Sequence, residues 1–347
     1  PMIVNSDERQ WTWMDEGLNT FCQYIAEQEW EDGYPSGRGE PKDIVGYMTS
    51  ANQVPIMTNS ESILQFGANA YAKPATALNV LRETILGREL FDFAFREYSQ
   101  RWMFKRPQPA DLFRTLEDAS AIDLDWFWRG WFYSTDHCDI AIRDVEMYTL
   151  DTLNPEIEKA RLRAQRDAEP TTMSAERYAA MPKRAQAYPS LLDFYNRYDP
   201  LDVTDRDRKQ YESTLEGLEP DEKALLSTDT LFYVVELENV GGLVMPVILQ
   251  ANFEDGTQQL LRVPAEIWRQ DNEHISKLVL TRKPVASFTL DPKLETADAD
   301  LSNNVWPPKM KESRFQLFKR NRDQKNPMQL EQQEKSESDS SATGGGQ

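Results

Sequence analysis

The chain of 347 residues is long enough for two domains, and 39% hydrophobic with 11% aromatic residues supplies material for real cores. Its 39 Lys and Arg against 58 Asp and Glu leave a net charge of −19, which argues against a nucleic-acid partner, since any phosphate-binding surface would work against the overall field. Two cysteines, Cys22 and Cys138, exclude a disulfide framework and a four-thiolate zinc site, and no apolar run approaches the ~18 residues that span a bilayer.

The sequence opens Pro-Met-Ile-Val, with no initiator methionine and directly in an apolar stretch, which predicts that a segment upstream has been removed. In "WTWMDEGLNTF" a first helix begins, with Leu18, Phe21, Cys22 and Ile25 as its expected apolar face and Asp15 and Glu16 complementing its positive end. From Glu16 to about Tyr133 the apolar spacing stays mostly helical, through "TALNVLRETIL", "LFDFAFREYSQRW", "ADLFRTLEDAS" and "DLDWFWRGWFY". "EDGYPSGRGEP" and "FKRPQP" interrupt it, so a compact helical block with a loop near residues 31 to 43 is predicted. The Trp-rich end of that block, Trp126 to Trp131, reads as core packing rather than as a ligand box.

Alternation of period two appears in "CDIAIRDVEMYTL" at residues 138 to 150. It resumes after residue 230, in "LFYVVELENVGGLVMPVILQANFEDGTQQLLRVP" and "HISKLVLTRKPVASFTLDP". "ENVGGL" and "EDGT" have the composition of hairpin turns, and the strands together predict an antiparallel, immunoglobulin-like β-sandwich. Between the strand sets, residues 151 to 226 are polar and dense in charge, which predicts short solvated helices inserted into the sandwich or bridging it to its neighbour. Within them the aromatic cluster "YPSLLDFYNRYDP" is a candidate docking element. From residue 309 the chain turns basic and then low in complexity, ending "SESDSSATGGGQ", a composition that cannot bury enough to fold. The expected organisation is therefore a helical block over residues 1 to 135, a sandwich with its polar insertion over 136 to 308, and a disordered tail over 309 to 347.

A second constellation, "QFGANAYAKPATALNVL", places Tyr71 just before a Lys-Pro step and a helix. Each motif alone has a plain structural reading: Glu16 as a helix-start carboxylate and Tyr71 as a packing residue. Together, in this order and in a helical block followed by a β-sandwich, "WMDEGLNTF" and "YAKPATALNVL" resemble the gluzincin zinc aminopeptidases, the family of membrane alanyl aminopeptidase and leukotriene hydrolase. Those enzymes carry H-E-x-x-H on one helix and, about 18 residues beyond the second histidine, a glutamate in a W-x-x-E-G context that completes the zinc site. Asp15 stands where the family usually has Asn.

The resemblance covers residues 1 to about 135, and it implies the helical second half of a thermolysin-like catalytic domain. It further implies that Glu16 is the third zinc ligand, that Tyr71 hydrogen-bonds the developing oxyanion and that Phe66 lines the same cleft. Only fifteen residues precede Glu16, so the zinc helix, the general base and the amine-anchoring G-x-M-E-N loop are expected upstream of Pro1. The two histidines present, His137 and His274, lack the four-residue spacing of that motif and are read as surface or satisfied residues.

The implied activity is zinc-dependent hydrolysis of peptides, in the periplasm, the cell envelope or a secreted form, with these 347 residues inactive alone. A second reading is a non-catalytic relative that serves as an interaction scaffold, because one metal ligand out of three is too few to hold zinc tightly.

Overall fold

A computed structural model describes residues 3–226, 229–309 and 328. The expected tail over 309 to 347 lies outside the described residues apart from Lys309 and Met328, and residues Pro1–Lys309 form one compact unit. The architecture is α+β: helices followed by antiparallel sheets. No described helix is long and apolar enough to cross a membrane.

The helical part contains α1 (Trp13–Trp30), α2 (Pro41–Met48), α3 (Lys73–Val80), α4 (Arg88–Trp102), α5 (Pro109–Ser120) and the short α6 (Asp125–Trp128). Helix α1 buries Trp13, Met14, Gly17, Thr20, Phe21 and Tyr24. That face is rotated from the expected one: Phe21 is buried, Leu18 and Ile25 are half-buried, and Cys22 is exposed. The reason is that two small residues, Gly17 and Thr20, belong to the contact. A methyl group on Gly17 would sit 2.5 Å from Pro74 Cγ and 3.2 Å from the Ala70 carbonyl oxygen, so α1 and the segment leading into α3 pack at a distance that only glycine allows.

That segment, Gly67–Ala72, is a widened π-type turn that runs directly into α3. Pro74 has no N–H to offer the Ala70 carbonyl, and the Lys73 N–H instead reaches Ala68 O, five residues back. Such widened turns re-aim the side chains they carry, and Tyr71 is one of them. The aromatic residues knit the rest of the block: Trp13 stacks on Phe113 at 6.0 Å, and Phe113 on Trp128 at 4.4 Å. Helix α5 starts on a capping box, in which Gln108 and Asp111 satisfy each other's backbone N–H groups.

Among the described residues seven strands follow: β1 (Ile140–Thr149), β2 (Leu231–Asn239), β3 (Val247–Phe253), β4 (Gln258–Val263), β5 (His274–Thr281), β6 (Val285–Leu290) and β7 (Val305–Trp306). They form two sheets, ordered β1-β2-β5 and β4-β3-β6-β7, and every pairing is antiparallel. The sheets meet through buried residues of both, and the Tyr233 and Phe288 rings lie 5.6 Å apart. "EDGT" joins β3 to β4 as a hairpin, with Gly256 at φ +81°.

"ENVGGL" is not a hairpin, because β2 and β3 belong to different sheets. Gly241 serves close approach instead, since a Cβ there would lie 2.1 Å from the His137 carbonyl oxygen.

Between β1 and β2 run α7 (Pro155–Ala168), α8 (Met173–Ala179), α9 (Arg184–Ala187), α10 (Asp205–Glu216) and α11 (Pro220–Leu225). None of the described side chains of these helices is buried. Ion pairs hold α7 to its surroundings, Lys159 to Asp207 at 2.7 Å and Arg208 to Glu156 at 2.9 Å. The aromatic cluster does not dock: Phe194 is 63% and Tyr195 79% exposed, and their rings meet each other and Tyr198.

Candidate active site

Glu16 projects from the first turn of α1 and Tyr71 from the widened turn before α3; both are half-buried. Their side chains face one another, and hydrogen bonding to Glu16 is the largest influence on the phenol, pushing its pKa up. Burial and the negative charge of Glu16 push the same way, while the Arg38 guanidinium opposes them. The phenol is therefore protonated at neutral pH, with its O–H directed to Glu16.

Phe66 stands edge-on to Tyr71 with ring centroids 6.2 Å apart and is 41% exposed, at the open side of the pair. Arg38 lies over the Tyr71 ring, its guanidinium carbon 4.7 Å from the centroid. Asp15 adds negative charge beside Glu16, and its own carboxyl is raised by burial and by the charges of Glu8 and Glu16.

Behind Tyr71 the supporting layer is polar and buried. Lys73 has no exposed surface, and its ammonium donates to Gln53 Oε1 at 2.8 Å and to Ser134 O at 3.5 Å. Gln53 donates in turn to Met48 O at 2.6 Å and Thr135 O at 2.7 Å. Burial pushes the Lys73 pKa down to about 8, opposed by Asp136. Asn69, also fully buried, donates to Tyr47 Oη at 3.0 Å and Val54 O at 2.8 Å. The "YAKP" segment is thus pinned to the chain around residues 47 to 55 and to residues 134 and 135.

Glu16, Tyr71 and Phe66, three residues proposed from two separated motifs, are brought together by the fold. The donors needed to finish a zinc site are not: among the described residues Glu16 belongs to no group of three or more His, Cys, Asp or Glu placed to share an ion. His274 is exposed on β5, with Nε2 3.9 Å from Glu238, and His137 bridges to Gly242 through its backbone. The residues present fit one corner of a three-ligand centre and do not complete it.

Sequence reading missed Arg38 and Lys73. Arg38 carries no signal beyond lying between two glycines, and Lys73 becomes notable only through its burial.

The Trp-rich end holds Trp128 and Trp131 in the core, whereas the partly buried Trp126 lines a cavity of about 830 Å³ with Phe113, Arg114, Trp268 and Arg269. At its rim one oxygen from each of Glu117, Asp123 and Asp125 lies within 4.8 Å of the others. Glu117 Oε1 already accepts from Leu124 N at 3.1 Å and Trp128 Nε1 at 3.2 Å.

No family profile and no curated protein matches this sequence. Among solved structures it is similar to aminopeptidase A of Legionella pneumophila in complex with aspartic acid, with a TM-score of 0.43 and 14% identity over 82% of this chain. The chain spans 23% of that structure's length. A likeness of that size fixes neither activity nor ligand.

Proposed function

We propose that this chain is the C-terminal part of a zinc-dependent peptide hydrolase of the aminopeptidase type, with an immunoglobulin-like sandwich, working in the periplasm, the cell envelope or a secreted form. Glu16 is one zinc ligand and Tyr71 the donor to the developing oxyanion. The observation that carries this reading is the meeting of Glu16 and Tyr71, which stand 71 − 16 = 55 positions apart in sequence yet face each other across two helices. Helix packing alone does not require a carboxylate opposite a phenol at a half-open position.

Zinc, when bound, would polarise the scissile carbonyl and acidify a water molecule. The rest of the chemistry assigned here belongs to this chain's residues. Tyr71, kept protonated by its surroundings, donates to the carbonyl oxygen as negative charge gathers on it. Lys73, Asn69 and the Gly17–Pro74 contact hold the turn that carries Tyr71, so the ring stays in place and only its O–H turns from Glu16 when charge develops on the substrate. Phe66 walls the open side.

The two histidine ligands and the general base of such a centre are not among these 347 residues, which by themselves are expected to be inactive. The test is zinc stoichiometry by elemental analysis of the chain extended to include that histidine helix, comparing wild type with Glu16→Gln. One tightly bound zinc that the variant loses or weakens is the expected result. No zinc in the wild type overturns the reading and leaves an interaction scaffold in its place.

A further inference from the structure

We propose that Arg38 forms a carboxylate-binding subsite beside Tyr71, so that the preferred peptide carries a carboxylate within one residue of the bond cleaved. The proposal rests on the peptide-hydrolase reading above. It starts from an exposed arginine whose guanidinium lies over the Tyr71 ring and is left unpaired. Among the described residues no carboxylate lies within ion-pair distance of Arg38, and no acceptor engages its side-chain N–H groups. Other arginines of this acidic chain are paired, Arg82 with Asp92 and Arg262 with Glu295 for example.

The loop fixes the backbone on both sides of Arg38. Ser36 Oγ donates to Glu27 Oε2 at 2.7 Å and accepts from Gln28 Nε2 at 3.0 Å, which ties the approach to α1. On the other side Gly39 adopts φ +116° and lies so close to Tyr24 that a Cβ would be 2.5 Å from the ring. Its carbonyl accepts from the buried Asn79 Nδ2 at 3.0 Å. Glycine is required at residue 39 by conformation and by space, and the result is a fixed base from which the Arg38 side chain reaches over Tyr71.

The chemistry of the cleft follows from this placement. A cation over an aromatic face keeps the guanidinium near the ring without using an acceptor for its donors. A planar guanidinium with free N–H groups matches a carboxylate through two parallel hydrogen bonds. Charges of both signs surround Tyr71: Asp15 and Glu16 bring negative charge to the phenol, and Arg38 brings positive charge to it. Arg38 also lines a hollow of about 200 Å³ with Thr20, Gln23, Gly37 and Glu27, whose carboxylate is engaged by Ser36 Oγ at 2.7 Å, and the hollow has room for a residue-sized group. Because Arg38 touches the ring of the residue assigned to the oxyanion, its reach from the scissile carbonyl is about one residue of extended chain, ~3.5 Å plus a side chain.

The experiment compares a dipeptide with its C-terminal amide as substrates of the full chain with its histidine helix and zinc, in wild type, Arg38→Gln and Arg38→Lys. The wild type should favour the free acid. Arg38→Gln should raise the ratio of KM for the acid to KM for the amide by about 10- to 100-fold, the scale of a lost charged hydrogen-bonding partner, while any effect through the Tyr71 ring falls on both substrates alike. Arg38→Lys should fall between. Equal effects on acid and amide, or no effect on either, overturn the subsite.

If the wild type binds zinc yet hydrolyses neither peptide, the hydrolase reading fails separately. Calorimetric titration of the same proteins with both peptides then decides about Arg38. A preference for the acid that disappears in Arg38→Gln supports the subsite, and the absence of any preference overturns it.

Discussion

Gly17 packs onto Pro74 so closely that a methyl group at its Cα would end 2.5 Å from the proline Cγ. The glycine adjoins Glu16 in α1, and the proline lies three residues after Tyr71. One close contact therefore sets the distance between the two helices that bring the carboxylate and the phenol together. Gly17→Ala should separate the helices and destabilise the fold by about 1–3 kcal/mol, the usual cost of overpacking. Denaturant unfolding reads that cost. Zinc affinity of the full chain should drop in the same variant, because Glu16 moves with its helix. Unchanged stability would show that the contact is readily relaxed.

Tyr71→Phe removes only a hydroxyl and leaves the ring between Phe66 and Arg38. The expected loss in kcat is about 10²- to 10³-fold, the scale seen when an oxyanion donor is deleted, with zinc content unchanged. The pH dependence follows from the raised phenol pKa: the donor is present at neutral pH and is lost only above the ordinary tyrosine value of 10.0. Hence no alkaline limb near neutrality should be traceable to Tyr71. A variant that retains wild-type kcat would remove Tyr71 from the chemistry.

Lys73 is buried with a pKa of about 8 against 10.5 when exposed. The unfolded chain therefore binds more protons than the folded one between those values, and this group's contribution to stability rises as pH climbs through that window. Below pH 8 the full penalty for the buried charge is present, roughly 3 kcal/mol from the two pKa values. Lys73→Met leaves Gln53 Oε1 without its donor but has no charge to titrate. The difference in unfolding free energy, wild type minus Lys73→Met, should thus increase from pH 7.5 to 10. A flat difference would mean that the ammonium is better solvated than its burial implies.

Much of this organisation is legible in the sequence, and the misses share a cause. Helical spacing predicted the block up to Tyr133, and "EDGT" announced its hairpin through a glycine that needs positive φ. "ENVGGL" has the same composition and its Gly242 also adopts positive φ, yet it links two sheets, and its Gly241 serves a close approach to the His137 backbone, a tertiary requirement that looks identical in sequence. The face of α1 was misplaced because counting apolar residues overlooks glycine and threonine, which fill a tight crossing better than a leucine does. Glu16 and Tyr71 are read from motif spacing, and the fold sets their side chains near one another. Arg38 could not be found that way, because its meaning depends on a loop folding back over a ring that lies 71 − 38 = 33 positions further on.

The turn before β7 holds a second buried charge with the opposite linkage. Asp298 accepts from Ile140 N at 3.1 Å and Asp300 N at 3.1 Å, fastening residues 298 to 300 to the start of β1. Burial, with the nearby Asp139 carboxylate, pushes its pKa from 3.8 up to about 6, despite those hydrogen bonds. The folded protein therefore binds more protons than the unfolded one between these values. Stability owed to the neutral acid is fully present below pH 3.8 and is lost as pH rises through 6.

Asp298→Asn keeps the shape, loses part of the acceptor set and cannot ionise. Its fixed cost from the altered hydrogen bonds is independent of pH, so the test is the slope. From pH 4 to 7 the wild type should lose up to about 3 kcal/mol relative to the variant. Parallel stability curves would place the ionised Asp298 in a better-solvated turn than its 8% exposure indicates.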